Sequence, residues 1–353
     1  MAIPVDRNPH PKPHVRDEEL GFGTVFTDHM LRIEWDDGKG WHSDRIVPYG
    51  PIPLDPAACA LHYGQLLFEG VKAYAYKDGV ARLYRPQKHA ERFNMSARKL
   101  CMPEIDPVRH VEAIKELLRV DMSWLPKSPG TSMYVRPFMV ATEPFLGVRP
   151  SKQYLLAVIL SPVGTYFKGP ARPLRLWVES QKARAAHGGI GASKAAANYV
   201  ASLLAAEEAK KKGFDQVLWL DGARHENLEE VGTMNIFARI GDKVVTPALE
   251  GSILPGVTRD SVLQLLRKWS IPVEERTLPY AELEAAHAKG QLKELFGTGT
   301  ASVVAPVGEL ATAKGTLTLP TLGADAYGVR LKEAILAIQR GDAPDEFGWL
   351  EKV

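Results

Sequence analysis

A stretch rich in proline and glycine, SPVGTYFKGPARP from Ser161 to Pro173, interrupts the chain between two β-rich halves. Such a break favours two units joined by a loop over one continuous sheet. With 353 residues, each half is long enough to bury a core of its own. Before the break, Thr24 to Trp35 is rich in β-formers and ends at Asp37-Gly38, while Val71–Tyr76 and Val80–Tyr84 flank Lys77-Asp78-Gly79. Both patterns predict hairpins. Ala90, Phe93, Ala97 and Leu100 share a helical face, as do Val111, Ile114, Leu117 and Leu118. Tyr134–Val140 and Tyr154–Leu160 read as buried strands. After the break, strands are expected at Leu174–Glu179, Gln216–Leu220 and Met234–Ile240. Helices are expected over Tyr199–Lys212, from Thr258 with Val262, Leu265, Leu266 and Trp269 inward, and over Tyr327–Gln339. Hairpins mixed with helices predict an α+β fold.

Charge and composition exclude classes without selecting one. There are 44 Lys+Arg against 42 Asp+Glu, a net charge of +2, which gives no electrostatic reason to expect nucleic acid or an anionic membrane as partner. The longest apolar run, Tyr154–Leu160, is far short of the ~20 residues that span a bilayer. Cys59 and Cys101 are too few for a disulfide framework and are expected as buried, reduced thiols, with no metal site. His10 and His14 have the i, i+4 spacing of a ligand pair, but four prolines between Pro4 and Pro13 forbid the helix that would align them. Residues 1–20 therefore read as a flexible arm. Without an apolar signal core, and with Asp17, Glu18 and Glu19 present, the expected compartment is the cytoplasm.

Three segments suit a ligand better than a core. In HGGIGASKAAANY (His187–Tyr199), Lys194 is surrounded by glycine and alanine, so a flat molecule can approach the backbone beside an amine. A surface lysine at an alanine-rich helix start is the competing reading. In GSILPGVT (Gly251–Thr258), Thr258 can cap a helix whose N-terminus favours phosphate; an ordinary Pro-Gly turn is the commoner meaning of such a segment. In GTGTAS (Gly297–Ser302), alternating Gly and Thr can form a nest of N–H donors. Between them, Glu229-Glu230 enters a buried strand, a costly place for charge without a cationic partner. Lysine, carboxylate and anion loops together match the needs of pyridoxal phosphate: an amine for the imine, a carboxylate for the ring nitrogen, amides for the phosphate.

KAAANY (Lys194–Tyr199), EVGTMN (Glu230–Asn235), ILPGVTR (Ile253–Arg259) and GTGTA (Gly297–Ala301), in that order, resemble the branched-chain aminotransferases, pyridoxal phosphate enzymes of fold type IV. FTDHM (Phe26–Met30), LHYGQLLFEG (Leu61–Gly70), RPQKHAERF (Arg85–Phe93) and YVRP (Tyr134–Pro137) extend the resemblance over nearly the whole chain. It implies a two-domain α+β molecule: a small domain over 21–165, a joining loop over 166–176 that gates the pocket, and a large cofactor domain over 177–353. It also implies amino-group transfer between L-leucine, L-isoleucine or L-valine and 2-oxoglutarate, yielding glutamate, in a homodimer or higher homo-oligomer.

By the same resemblance, Lys194 would carry the cofactor imine and shuttle the proton. Glu230 would pair with the ring nitrogen and Tyr199 with the 3-oxygen. Arg92, the amides of Val257 and Thr258, and Thr300 would hold the phosphate. Leu254 and Thr233 would line the cofactor, and Ala301 would lie by the substrate carboxylate. Tyr63, Phe68, Tyr134 and Tyr166 would form the substrate pocket, with Arg136 receiving the distal carboxylate of glutamate. Two positions depart from the pattern. Ala196-Ala197 replace a usual Gly-Gly, and Ser302 and Ala305 stand where some relatives carry Cys-x-x-Cys, so a redox switch of that kind is not expected. A D-amino-acid aminotransferase or an aminodeoxychorismate lyase would share the fold. A short-chain oxidoreductase is disfavoured, because it needs Tyr-x-x-x-Lys and a leading GxGxxG.

Overall fold

A computed structural model describes residues 3–164 and 172–353. The chain divides into two compact units. The first contains residues 3–164 with Ser193–Ala197 and Ile338–Val353; the second contains 172–192 and Asn198–Ala337. Sequence order alone assigns all of 177–353 to the second half, but packing returns the lysine segment and the C-terminus to the first.

In the first unit, β1 (His29–Asp36) and β2 (Gly40–Pro48) form the expected hairpin. α1 (Cys59–Tyr63), β3 (Leu66–Phe68), β4 (Val71–Tyr74) and β5 (Arg82–Tyr84) follow. α2 (Pro86–Lys99) and α3 (Pro107–Val120) both open on proline, whose missing N–H costs nothing in a first turn. Asp106 caps α3 by accepting from the Val108 amide. The long antiparallel pair β6 (Ser132–Ala141) and β7 (Gln153–Val163) then forms the middle of the sheet. β7 runs to Val163 and so takes in the first residues of the Pro/Gly stretch.

In the second unit, β8 (Leu174–Glu179) takes in residues 174–176, which the sequence assigns to the joining loop. α4 (Ala196–Lys211), β9 (Gln216–Leu220), β10 (Leu228–Val231), β11 (Met234–Ile240) and β12 (Lys243–Thr246) come next. α5 (Val257–Lys268), β13 (Val273–Glu275), α6 (Tyr280–Ala288), β14 (Leu292–Gly299), β15 (Val303–Thr312), β16 (Gly315–Thr318) and α7 (Tyr327–Arg340) complete it. The last strand, β17 (Leu350–Lys352), pairs with β5 of the first unit.

The first sheet has the order β17-β5-β4-β6-β7-β1-β2, with β3 on β6, and the second β10-β9-β8-β15-β14-β11-β12-β13, with β16 on β15. Alternate residues of β1, β6 and β7, among them Leu31, Ile33, Met133, Val135, Leu156 and Val158, bury one core with Phe93, Ile114 and Leu117 of the two helices. Leu176, Leu218, Ile236, Leu295 and Val307 centre the other. The mixed architecture is α+β.

Three expectations are corrected. Residues 3–14 are laid against the first unit as extended chain. The Asp6 amide donates to the Ile46 carbonyl, the Ile46 amide donates to the Pro4 carbonyl, and Lys12 Nζ donates to the Phe26 and Thr27 carbonyls. The prolines forbid helix but leave this pairing open, so the segment is not a free arm. Cys101 is exposed at the end of a helix with φ 53°, while Cys59 is buried. Trp269 is half-buried, because α5 ends at Lys268 and its inward face stops at Leu266. No helix among the described residues is long and apolar enough to cross a membrane.

Candidate active site

In the first unit, the backbone of Lys194 is held on three sides. The Phe68 amide donates to its carbonyl at 3.1 Å, its own amide donates to Ser96 Oγ at 2.9 Å, and neighbouring Ala195 bridges Leu67. Lys194 Nζ then lies 4.7 Å from the centre of the Phe68 ring, and the Arg136 guanidinium lies 4.7 Å from the same ring. Tyr134 and Arg136 are two apart on β6 and share a face; Arg136 Nη2 donates to the Tyr134 hydroxyl at 2.9 Å. Arg136 Nε is buried with no hydrogen-bond acceptor among the described residues, a donor suited to an anion. Gly70 is required here, since a Cβ would sit 2.0 Å from the Tyr134 hydroxyl oxygen.

Arg92 belongs to a buried triad absent from the sequence reading. Its Nε and Nη2 donate to the two oxygens of Glu69 at 2.8 and 2.6 Å, a fork-on-carboxylate pair. His89, one turn earlier on α2, places Nδ1 3.3 Å from Glu69 Oε1. Burial opposes ionisation of Glu69, but the Arg92 guanidinium and His89 outweigh it and hold the carboxyl well below the usual range. Burial pushes His89 below its ordinary value.

In the second unit, Glu230 has the cationic partner that its burial demands. Its Oε2 lies 3.2 Å from Arg184 Nε, and its Oε1 accepts from the Leu254 amide at 2.9 Å. Arg184 also donates to the Ser252 carbonyl. Glu229 bonds the Ser252 hydroxyl through one oxygen; its other oxygen is buried without a partner among the described residues, and burial pushes its carboxyl up. Two of the sequence motifs are tied together by Asn235, whose Nδ2 donates to the Leu254 carbonyl at 2.9 Å. Gly256 makes room for that amide, since a Cβ there would lie 2.0 Å from Asn235 Oδ1. Gly191 likewise lets the HGGIGAS segment approach, with a Cβ falling 2.4 Å from the Ser252 carbonyl oxygen.

The anion loops differ in detail from expectation. Gly256 is the N-cap of α5, so the cap residue has no side chain to offer, and Thr258 lies buried in the first turn. Of GTGTA, Gly297–Gly299 are the end of β14, and Gly297 is small because Met234 Cε would meet a Cβ at 2.9 Å. Only Thr300–Ser302 form a turn, with Thr300 and Ala301 half-buried, and the next residue, Val303, is β-branched at φ 62°. Tyr199 is half-buried on α4, and Thr233 is exposed in the hairpin turn after Gly232. Tyr63 is 44% exposed at the end of α1, with its hydroxyl donated to the Leu146 carbonyl rather than set beside Phe68. Tyr166 lies outside the described residues.

Sequence reasoning missed Arg184, Glu69, His89 and Ser252. Ser252 lies inside the GSILPGVT loop without being singled out there, and no periodicity or loop chemistry marks the other three; Glu230's need for a cation was the one usable signal, and it did not say which cation. Each unit carries groups of the kind pyridoxal phosphate requires: in the first, an amine held at its backbone and a buried arginine; in the second, a buried carboxylate with cation and amide partners and a helix start capped by glycine. The chemistry available is amine capture of a carbonyl with proton transfer beside an apolar ring.

Residues 66–310 match the amino-transferase class IV family. The chain is 48% identical to branched-chain-amino-acid aminotransferase 2 of Bacillus subtilis (strain 168), over 100% of this chain and 97% of that protein. It is 43% identical to the branched-chain-amino-acid aminotransferase of Mycolicibacterium smegmatis, over 94% and 92% of the two. Among solved structures, it is similar to a branched-chain aminotransferase from Thermoproteus uzoniensis with norvaline, at TM-score 0.75 and 25% identity over 91% and 99% of the two chains. It is also similar to the Escherichia coli branched-chain amino acid aminotransferase, at TM-score 0.74 and 25% identity over 90% and 98%.

Proposed function

Because this chain belongs to the class IV aminotransferases, and within them to the branched-chain aminotransferases, we propose that it moves the amino group between L-leucine, L-isoleucine or L-valine and 2-oxoglutarate. The observation that carries the substrate reading is Phe68, an apolar ring with the Lys194 amine at 4.7 Å and the Arg136 guanidinium at 4.7 Å. Phe68 and Tyr134 pack against a branched aliphatic side chain and exclude water. Arg136, whose Nε has no acceptor among the described residues, receives the distal carboxylate of glutamate. One pocket thereby serves both half-reactions.

Pyridoxal phosphate, when bound, supplies a carbonyl for amine capture and an electron-withdrawing ring. Arg92, the amides of Val257 and Thr258, and Thr300 hold its phosphate. Leu254 and Thr233 flank it, Ala301 lies by the substrate carboxylate, and Tyr199 donates to the 3-oxygen. Glu230 keeps a proton on the ring nitrogen, and Arg184 and the Leu254 amide fix that carboxylate in place. Lys194 Nζ would take the proton from the substrate α-carbon and deliver it to the cofactor's carbonyl carbon, and the second half-reaction would run the same transfer in reverse. Ala196 half-buried and Ala197 exposed lie in the first turn of α4, where alanine is the best helix former, so replacing Gly-Gly is compatible with activity.

The reading includes a cytoplasmic homo-oligomer, in which Tyr63 and Tyr166 complete the substrate pocket. Exposed Leu61, Tyr63, Leu146 and Val148 in the first unit, and Val200, Leu203 and Leu204 on α4, support association between copies.

The test is the visible absorption of the cofactor-loaded protein, with L-leucine added and then 2-oxoglutarate. A band bleached by the first and restored by the second, and absent in Lys194→Ala, is expected. Bleaching only by a D-amino acid would move the chain to a different specificity.

A further inference from the structure

We propose that His89 is a further cofactor-site residue, taking up a proton as a phosphate dianion is seated at Arg92. This rests on the reading that Arg92 holds the cofactor phosphate. The charge of Arg92 is already balanced by Glu69, at 2.8 and 2.6 Å, in a place where Glu69 is 1% and Arg92 7% exposed. A dianion added beside a neutral buried pair, with Lys194 the other cation nearby, is stabilised further by a new positive charge.

His89 is built to supply it. Its Nδ1 faces an acceptor, Glu69 Oε1 at 3.3 Å, and a donor, Arg92 Nη2 at 3.5 Å. With the neutral ring's proton on Nε2, the bare Nδ1 accepts from Arg92; in the imidazolium, Nδ1–H donates to Glu69. Both states of the ring therefore have a partner without movement of the helix. The charged groups facing His89 are Glu69 from the β3–β4 connection, Arg92 from its own helix, and Lys194 from the 193–197 segment. In the cofactor-free protein, burial and the two cations favour the neutral ring, against Glu69 alone. A dianion reverses that balance, and the proton comes from solvent to Nδ1. Binding with uptake of one proton weakens as pH rises, by up to tenfold per pH unit where free His89 is neutral and bound His89 is charged.

The experiment is calorimetric titration of the full chain, freed of cofactor, with pyridoxamine 5′-phosphate, which has no carbonyl for Lys194 to capture. Done at pH 8 in two buffers of different ionisation enthalpy, it counts protons taken up. Ionisations of the ligand itself are common to wild type and variant, so the difference isolates the residue. Wild type is expected to take up about one proton more than His89→Gln, and the variant to lose the matching part of the pH dependence of Kd. Equal uptake overturns the proposal. An independent check needs no variant: in protein labelled with 15N-histidine, one of the ten histidines should change from the neutral to the imidazolium pattern on binding, and no change among them overturns it as well. Arg92→Gln separates the two readings. Undiminished affinity there removes Arg92 from the phosphate site, whereas weakened affinity with equal uptake in wild type and His89→Gln removes only His89.

Discussion

His110 sits 1% exposed on α3, its ring edge-on to Phe93 at 4.8 Å, with both nitrogens unpartnered among the described residues. Burial pushes its pKa down from 6.5 to about 4, with Glu69 opposing weakly. Between those values the unfolded chain binds the extra proton, so stability is complete above about 6.5 and falls as pH drops towards 4. The shift is worth up to about 3 kcal/mol at the acid end. His110→Leu should therefore raise the urea midpoint at pH 5 more than at pH 8; a uniform change at both would exclude the titration. Glu69 carries the opposite risk. Glu69→Ala leaves Arg92 buried without its counter-ion, which should cost about 3–5 kcal/mol in urea unfolding of the cofactor-free chain, while Glu69→Gln retains part of the hydrogen bonding and costs less.

At the scale of elements, the second-unit site is a clamp between a hairpin and a helix start. Asn235 at the head of β11 bonds Leu254, Leu254 bonds Glu230, and Gly256 clears space for the Asn235 amide before α5 begins. Gly256 has φ −68°, so alanine there is unwelcome for lack of room rather than for backbone strain. Gly256→Ala should displace Asn235 and weaken pyridoxamine 5′-phosphate binding by about tenfold or more, with about 1–3 kcal/mol lost in unfolding. Unchanged Kd would show that the loop adjusts freely. Of the elements around this clamp, Met234–Ile240 was legible in sequence, as were Gln216–Leu220 and Leu174–Glu179 in the same sheet, because alternation and turn residues act locally, whereas β10, which carries Glu230, was not expected as a strand of its own. The glycines were harder to read. Gly297 suggested an anion nest and proved to be clearance for Met234, a neighbour on another strand. Arg184, Glu69 and His89 had no local signal, since their roles arise only when distant segments meet.

At the scale of the molecule, the first unit is finished by the last residues of the chain. β17 pairs with β5, Trp349 is 4% exposed with its carbonyl taking the Arg85 amide at 2.6 Å, and Asp345 binds the Trp349 and Leu350 amides. Lys115 of α3 reaches Glu351 at 2.5 Å. Arg85 has φ 51° and is the N-cap of α2, the helix that bears His89 and Arg92. A positive φ at a non-glycine residue costs energy and persists only where the surroundings impose it, and here the Trp349 carbonyl is part of what imposes it. The C-terminus therefore fixes where α2 starts, and through it the position of the proposed phosphate arginine. Trp349→Ala should lose about 3–5 kcal/mol in urea unfolding, as expected for a buried tryptophan. It should also raise the Kd for pyridoxamine 5′-phosphate under conditions where the variant is still folded. Truncation after Gly341 should do more, exposing the edge of β5 and promoting aggregation. A truncated chain that stayed monodisperse and bound the ligand with unchanged Kd would show that α2 is positioned without β17, by the packing of Phe93 against α3 alone.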